Sequence, residues 1–568
     1  MKKLILLITV ICACYSCSDD ILDLTPIDQI SEASVWNDAK LTQAYHTNLY
    51  NVIQHGYKIH MQMKATDESF NSISWDIGNY SRGNINPDNI TSVANTHWTG
   101  GGNVYFWNTG FSYLRKINLF LDKMEETSLE FGNKAQLIAE AKFLRAYTYF
   151  QFIERFGGVP IITETYNLGD EYSFERNTFA ECVAFIEADL TAAIADLPAR
   201  YASSDGNFGR ATGDAAKALK SRMLLYAASP LFSPTKDLAK WQKAADAAEA
   251  LLTSGYTLHG DYEELFNQPS GSANNEIIFS KQFSATNFHQ APMHNLGRRY
   301  GAYGGWWSSN GPSQNLVDDY DMTNGEPPFI YSGSGKTYTK TINPASGYDP
   351  QNPYANRDPR LDASVIHDES EYHGDTFEMW VSPNGSTYGF DSYKQSSDNP
   401  RSNYIIRKFM PDDNTDISWQ TNYTNPWIIF RLGEIYLNYA EAKFELGDEA
   451  TARLYLSKVR ERTSVDMPAI PDNVTGEDLR KRIYNERRVE LAFEEHRLWD
   501  VKRWKIAEDI ENRPIYGMDI IKDGNVKTYT PVLLLDRTFL PEMYLLPIER
   551  SEILRNDGTI TQTPGWDN

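Results

Sequence analysis

The chain is 568 residues long, 41% hydrophobic and rich in rings, with 13 Trp, 34 Tyr and 26 Phe. That content excludes a disordered chain, and the length leaves room for a larger core than one domain usually holds. The formal charge of −22 repels nucleic acid and anionic headgroups, and it favours a neutral ligand over a polyanion.

The chain opens Met1-Lys2-Lys3 and runs apolar from Leu4 to Ala13. Such a run is too short to span a hydrocarbon core, which needs roughly 20 residues, but it suits the apolar part of an export signal. Ser16 supplies the small residue that cleavage requires, and the Cys17 thiol can accept a diacylglycerol, whose two acyl chains anchor stably. Residues 1–16 therefore read as a lipoprotein signal peptide and Cys17 as the lipidation site. The bland alternative is an ordinary secretion signal with Cys17 a bystander. Cys12 and Cys14 leave with the signal and Cys182 has no partner, which excludes a disulfide framework and cysteine-based zinc sites. Ser18-Asp19-Asp20, directly after the anchor, resembles the surface-export tag of Bacteroidetes-type lipoproteins. No later run is long and apolar enough to suggest a membrane span.

Beyond the anchor the texture alternates. Residues 31–63, 107–258 and 428–510 read as a helical scaffold. A helix begins at Trp107, which looks like core, and runs through Leu121. Lys134–Phe156 repeats apolar residues at three and four (Leu137, Ala141, Leu144, Phe152) and stops at Gly157-Gly158-Val159-Pro160. Further helices are predicted from Asp214 to Ala228 and from Trp241 to Gly255. Residues 134–153 with 178–197, and 214–228 with 241–254, look like degraded helix pairs. Leu432–Arg462 is a clearer pair, with Tyr436, Ala440, Gly447 and Ala450 at tetratricopeptide spacing. One long helix is predicted from Glu477 to Ile506, followed by a tail of short strands and turns.

Residues 64–106 and 260–427 are different: Gly, Pro, Asn, Ser and Tyr dominate, and strand-like pieces such as Glu276–Phe283 emerge. Long irregular segments in a compact protein are usually functional. The expected fold is mainly α, a scaffold of tetratricopeptide-type helix pairs carrying loop-rich insertions with short strands, over one domain from residue 17 to 568.

A resemblance rests on motifs along nearly the whole mature chain. These are Leu22-Asp23-Leu24-Thr25-Pro26, Ala139–Tyr147 leading to Phe156-Gly157-Gly158-Val159-Pro160, and Leu225–Phe232. Asn315-Leu316-Val317, Asn356–Leu361, Arg431–Ala442, Asn485–Ala492, Arg503-Trp504, Leu546-Pro547-Ile548 and Pro564-Gly565-Trp566 follow in order. Together they resemble the RagB/SusD family of outer-membrane proteins. Glu495 departs from the pattern, where the family often has glycine. The resemblance implies a helical, tetratricopeptide-containing fold on the outer face of the outer membrane. It also implies a SusC-like TonB-dependent transporter as partner, oligosaccharide or polysaccharide as ligand, and no catalysis.

A glycan binder needs rings on loops, because the C–H face of a sugar packs on the negative face of Trp or Tyr. The densest candidate is Arg298–Asn310, where Tyr303, Trp306 and Trp307 stand among glycines. Adjacent tryptophans cannot both face one core from a regular element. Trp75, Asp67 and Trp98 form a second group, Arg357 is a further candidate, and Trp380 is an outsider. Packing, transporter contact or, for Arg357, pinning a turn are the plain alternatives.

Enzyme readings fare worse. Glu494-Glu495-His496 with Asp500 alternates with Arg487, Arg488, Arg497, Lys502 and Arg503, the pattern of a solvated, ion-paired face. Gly333-Ser334-Gly335-Lys336-Thr337 has Ile330 where a phosphate loop needs glycine, and reads as a flexible tip. No catalytic residue, cofactor or metal site is expected. The competing readings are a peptide-binding import protein on the same scaffold and a surface glycoside hydrolase.

Overall fold

The computed structural model describes residues 32–58, 60–71, 77–94, 104–166, 169–170, 172–299, 308–412 and 421–566. The signal segment and Cys17 lie outside them, as do Tyr303, Trp306, Trp307, Trp75 and Trp98. Of the chain, 42% is helical and 12% lies in short strands, so helices set the frame, as the sequence leads one to expect.

The helices start and stop where local chemistry requires. Helix α1 (Ala39–Leu49) is capped by Asp38, whose carboxylate accepts from the Lys40 and Leu41 amides. Helix α2 (Trp107–Glu126) begins with a buried Trp107. Helix α3 (Lys134–Phe156) ends at Gly157, whose φ of 75° suits glycine. A Cβ on Gly158 would stand 1.9 Å from the Asn177 carbonyl, so the glycine pair also lets two backbones meet. Helix α4 (Phe179–Asp196) opens with a Thr178/Glu181 capping box and buries the free Cys182. Helices α5 (Gly213–Ala228) and α6 (Leu238–Leu252) pack through alanines. Helices α7 (Leu432–Glu445) and α8 (Glu449–Arg460) form the expected tetratricopeptide-like pair. Contacts of α2 with α3, α3 with α4, and α6 with α7 link these units. One hydrophobic cluster contains residues from Leu49 through Trp566, and a second sits between α7, α8 and the helix that follows them.

Three expectations need correction. The long helix predicted from Glu477 is two: α9 (Gly476–Glu490) and α10 (Arg497–Arg503). Between them Phe493 and Glu495 both have φ of 65°. The break occurs because side chains from elsewhere take the carbonyls at the end of α9. Tyr262 Oη donates to the Glu490 carbonyl at 2.7 Å, Arg431 to the same oxygen at 2.9 Å, and Lys408 to the Ala492 carbonyl at 2.9 Å. The left-handed backbone at Glu495 is one that glycine adopts more readily than a residue with a side chain.

Second, the charged face of this segment is buried rather than solvated. Arg431 bonds Glu276 at 2.9 Å and Glu490 at 2.7 Å, and Arg462 bonds the same two carboxylates at 2.6 and 2.8 Å. Arg360 adds a bond to Glu490 at 2.9 Å, and Lys408 pairs with Glu494 at 2.8 Å. Arg503 joins Glu441 and Asp500.

Third, residues 333–337 are not a loose tip. They turn a hairpin between Phe329–Ser332 and Thr339–Ile342, and the Gly335 amide donates to Asp509 at 2.7 Å.

The strands are short and, among the described residues, pair only in twos. Those that matter are β1 (Ser69–Asn71), β2 (Ile277–Lys281), β3 (Asn310–Pro312) and β4 (Trp427–Arg431). Strand β1 pairs with β3 and β2 with β4, all antiparallel. The C-terminal tail is more regular than expected, a ribbon of β5 (Ile515–Asp523) and β6 (Val526–Leu535).

Candidate functional site

The β1–β3 ladder brings the two loop-rich regions together. Its register sets Ser69 opposite Pro312, Phe70 opposite Gly311 and Asn71 opposite Asn310. The chain leaves the ladder after Asn71 towards Trp75, and it arrives at Asn310 from Tyr303, Trp306 and Trp307. Asn71 and Asn310 therefore share one end of the ladder, and the segments next to them in sequence, 72–76 and 300–307, lie outside the described residues.

The stems of the 300–307 segment are fixed. On one side Asn310 accepts from the Met61 amide at 3.1 Å and donates to Asn295. Lys64, buried beneath, donates to Ser309 Oγ at 2.8 Å and lies 2.8 Å from His60 Nδ1. Burial holds the Lys64 ammonium well below its ordinary pKa and lowers His60 to about 3. On the other side the Arg298 amide donates to Asn399 at 2.9 Å. Arg299 grips Asp391 and lies 4.8 Å from the Phe390 ring centre and 5.3 Å from that of Phe377.

Residues 377–399 thus form an arm beside this stem. The arm is tied to β5, because the Val381 amide donates to Ile520 at 2.8 Å and Lys522 returns a bond to Val381 at 2.9 Å. Tyr388 and Phe390 are 38% and 42% exposed, which leaves their rings accessible. Trp380, half-buried with Lys522 at 4.5 Å from its ring centre, lines a cleft of about 450 Å³ with Ser382, Asn384, Thr387 and Asp523. Rings beside hydroxyls and amides can stack a sugar face and bond its hydroxyls. Among the sequence candidates Trp380 is only an outsider, and Tyr388 and Phe390 are absent. The available signal was Pro383-Asn384-Gly385, a turn flanked by aromatic residues.

Two predicted contacts have structural duties instead. Asp67 is 5% exposed, and both of its oxygens are taken by Arg488 and Arg497. Burial alone would raise its pKa, but the two guanidinium groups outweigh that and hold the carboxyl well below the usual range. Arg357 is 6% exposed and donates to the Pro353 and Tyr320 carbonyls at 2.7 Å each, pinning the turn that Asn356 opens with φ of 56°. Neither has a free polar face for a ligand.

The Glu494-Glu495-His496 segment likewise faces inward. Burial raises Glu495 to about 7 and pushes His496 well below its ordinary pKa. With Glu154, Arg222 and Tyr147 they line a cavity of about 60 Å³, room for one or two waters but not for a sugar ring. Among the described residues no cluster of His, Cys, Asp and Glu is arranged to hold a metal ion.

Two family models cover most of the chain. That of the SusD family matches residues 275–566, and one described as starch-binding associating with outer membrane matches residues 20–225. The chain belongs to the SusD family. A SusD-like protein from Bacteroides fragilis superimposes with a TM-score of 0.76 at 27% identity, over 95% of this chain and 100% of that one. A SusD-like carbohydrate binding protein from the same species gives 0.74 at 26%, over 93% and 99%. The SusD-like protein P25 of Formosa agariphila is 22% identical over 98% of this chain and 97% of its own. The motifs that carry the family likeness coincide with the internal ion network: Arg360, Arg431, Glu486, Glu490 and Arg503 all belong to it. They mark the SusD scaffold rather than its cargo.

Proposed function

We propose that this SusD-family protein captures oligosaccharide or polysaccharide at the cell surface and passes it, uncut, to a SusC-like TonB-dependent transporter. The observation that carries the reading is the likeness, along 93% of the chain, to a SusD-like carbohydrate binding protein. The outer-membrane association in the description of the N-terminal family model supports the location. In this reading residues 1–16 are cleaved, Cys17 is lipidated, and residues 17–568 fold as one unit. The continuity of the hydrophobic cluster from Leu49 to Trp566 supports that last point.

The ligand is held by Tyr303, Trp306, Trp307, Trp75 and Trp98, with Trp380, Tyr388 and Phe390 extending the platform. Stacking on rigid rings costs little conformational entropy, and the amides and hydroxyls of the arm orient the sugar. Native-gel electrophoresis through a panel of neutral and acidic polysaccharides tests this. A matching polysaccharide retards the protein and no reducing ends are released. Retardation by none of them, or new reducing ends, overturns the reading. Separately, Cys17→Ala abolishes labelling with radioactive palmitate if the anchor is as proposed.

A further inference from the structure

On a different part of the molecule, a cleft of about 420 Å³ opens between the α4–α5 connection (residues 198–212) and the segments that flank β2. Its volume falls in the small-ligand range of about 300–1,000 Å³. The chain carries 76 acidic residues and a formal charge of −22, yet no Asp or Glu lines this cleft. What lines it instead is two arginines, the rings of Tyr201, Phe208 and Tyr256, and a set of amides and hydroxyls.

The two arginines differ. Arg210 is neutralised, its Nε lying 3.0 Å from both oxygens of Glu140. Arg200 forms no ion pair within 4.0 Å among the described residues. Its guanidinium is 5.1 Å from the ring centre of Tyr256, and a Cβ on Gly255 would come within 2.9 Å of its terminal nitrogen, so the glycine leaves it space. Asp214, behind Tyr256, is already paired with Lys217 at 2.8 Å.

The opposite wall is preformed. Gly209, with φ of 91°, lies against Gln282, whose carbonyl accepts from the Gly271 amide and whose amino group donates to Ser280 at 2.7 Å. The connection itself is closed by turns, Phe208 bonding back to Asp205 and Arg210 to Asn207 at 3.0 Å each.

We propose that this cleft is a second sugar site, specific for an acidic residue of a glycan, in which Arg200 takes the sugar carboxylate. A planar guanidinium matches a carboxylate with two parallel bonds. Tyr201 and Phe208 offer ring surface to the sugar's C–H face, and Gln268 and Asn274 reach its hydroxyls. An acid-free lining spares the bound anion contact-range repulsion from the rest of this acidic molecule. The proposal rests on the reading of the protein as a glycan binder, but adds a charge preference that the neutral ring platform does not supply.

The test is calorimetric titration of the mature chain with digalacturonate, its carboxyl-reduced neutral counterpart and a sulfated disaccharide. Digalacturonate binds, its neutral counterpart binds at least about tenfold more weakly, and Arg200→Met removes the difference while leaving the melting temperature unchanged. Arg200→Lys, which keeps charge but loses the fork, recovers part of the affinity. Equal binding of the acidic and neutral sugars, or full affinity in Arg200→Met, overturns the site. Tighter, Arg200-dependent binding of the sulfated disaccharide overturns the carboxylate assignment. Retardation by polysaccharide without binding of digalacturonate overturns the second site and spares the proposed function.

Discussion

The ion network between α7 and α10 and the loop face at the end of the β1–β3 ladder both depend on arginine, but they use it differently. In the network, Arg360, Arg431 and Arg462 converge on Glu490 and Glu276, all of them buried. Each charge there is compensated, and the cations also take the carbonyls that end α9. At the loop face, the Arg299 guanidinium stays at a stem, gripping Asp391, the Arg298 backbone amide donates to Asn399, and the rings of Tyr388 and Phe390 carry exposed surface. Charge fixes the scaffold in one region, and in the other it holds the stems while the rings of Tyr388 and Phe390 stay exposed.

Glu490→Gln breaks the comparison from the scaffold side and has the largest effect. It leaves three guanidinium groups short of a partner, so urea unfolding shows a loss of about 3–5 kcal/mol. A loss under about 1 kcal/mol would mean that the network is not what holds these helices.

The next effect depends on pH. Burial raises Glu68 and Glu495 from 4.5 to about 7. The folded form therefore binds these protons more tightly than the unfolded chain does. The stability they contribute is complete below about pH 4.5 and is lost as pH rises through about 7. Glu495→Gln accordingly matches the parent at pH 4.5 and exceeds it at pH 8 by on the order of 3 kcal/mol. A difference that does not change with pH would place the ionised carboxylate in a more polar setting than the one described.

Arg299→Met sharpens the comparison from the ligand side. Its pairs with Asp391 and Asp375 are partly exposed, so stability falls by about 1 kcal/mol or less. Glycan affinity falls by about tenfold because the loop loses a stem. Equal loss of both would make Arg299 a scaffold residue like Arg431. Phe390→Ala costs least, within about 0.5 kcal/mol of stability, given a ring that is 42% exposed, with a small loss in glycan retardation.

The helices were legible because their signals are local. Apolar spacing and the glycine pair delimit Lys134–Phe156, and Thr178 with Glu181 starts α4. The break after Glu490 was not legible, since the groups that cause it, Lys408 and Arg431, are distant in sequence. For the same reason the charged run around Arg487 reads as a solvated face: its partners Lys408, Glu441 and Asp67 lie on other elements. At the candidate site, rings among glycines could be seen in the sequence. The pairing of Ser69–Asn71 with Asn310–Pro312 could not, because three-residue strands carry too little pattern to declare a partner. Asp67 and Arg357 look like ligand contacts in the sequence because polar residues in irregular regions look alike until their partners are known.

The most direct measurement is calorimetric titration of the parent and of Trp306→Ala/Trp307→Ala with the polysaccharide that retards the protein most strongly. The account predicts a loss of affinity of at least about tenfold in the double variant, with unchanged circular dichroism and melting temperature. Full affinity in that variant would contradict the assignment of the loop face as the place where glycan binds.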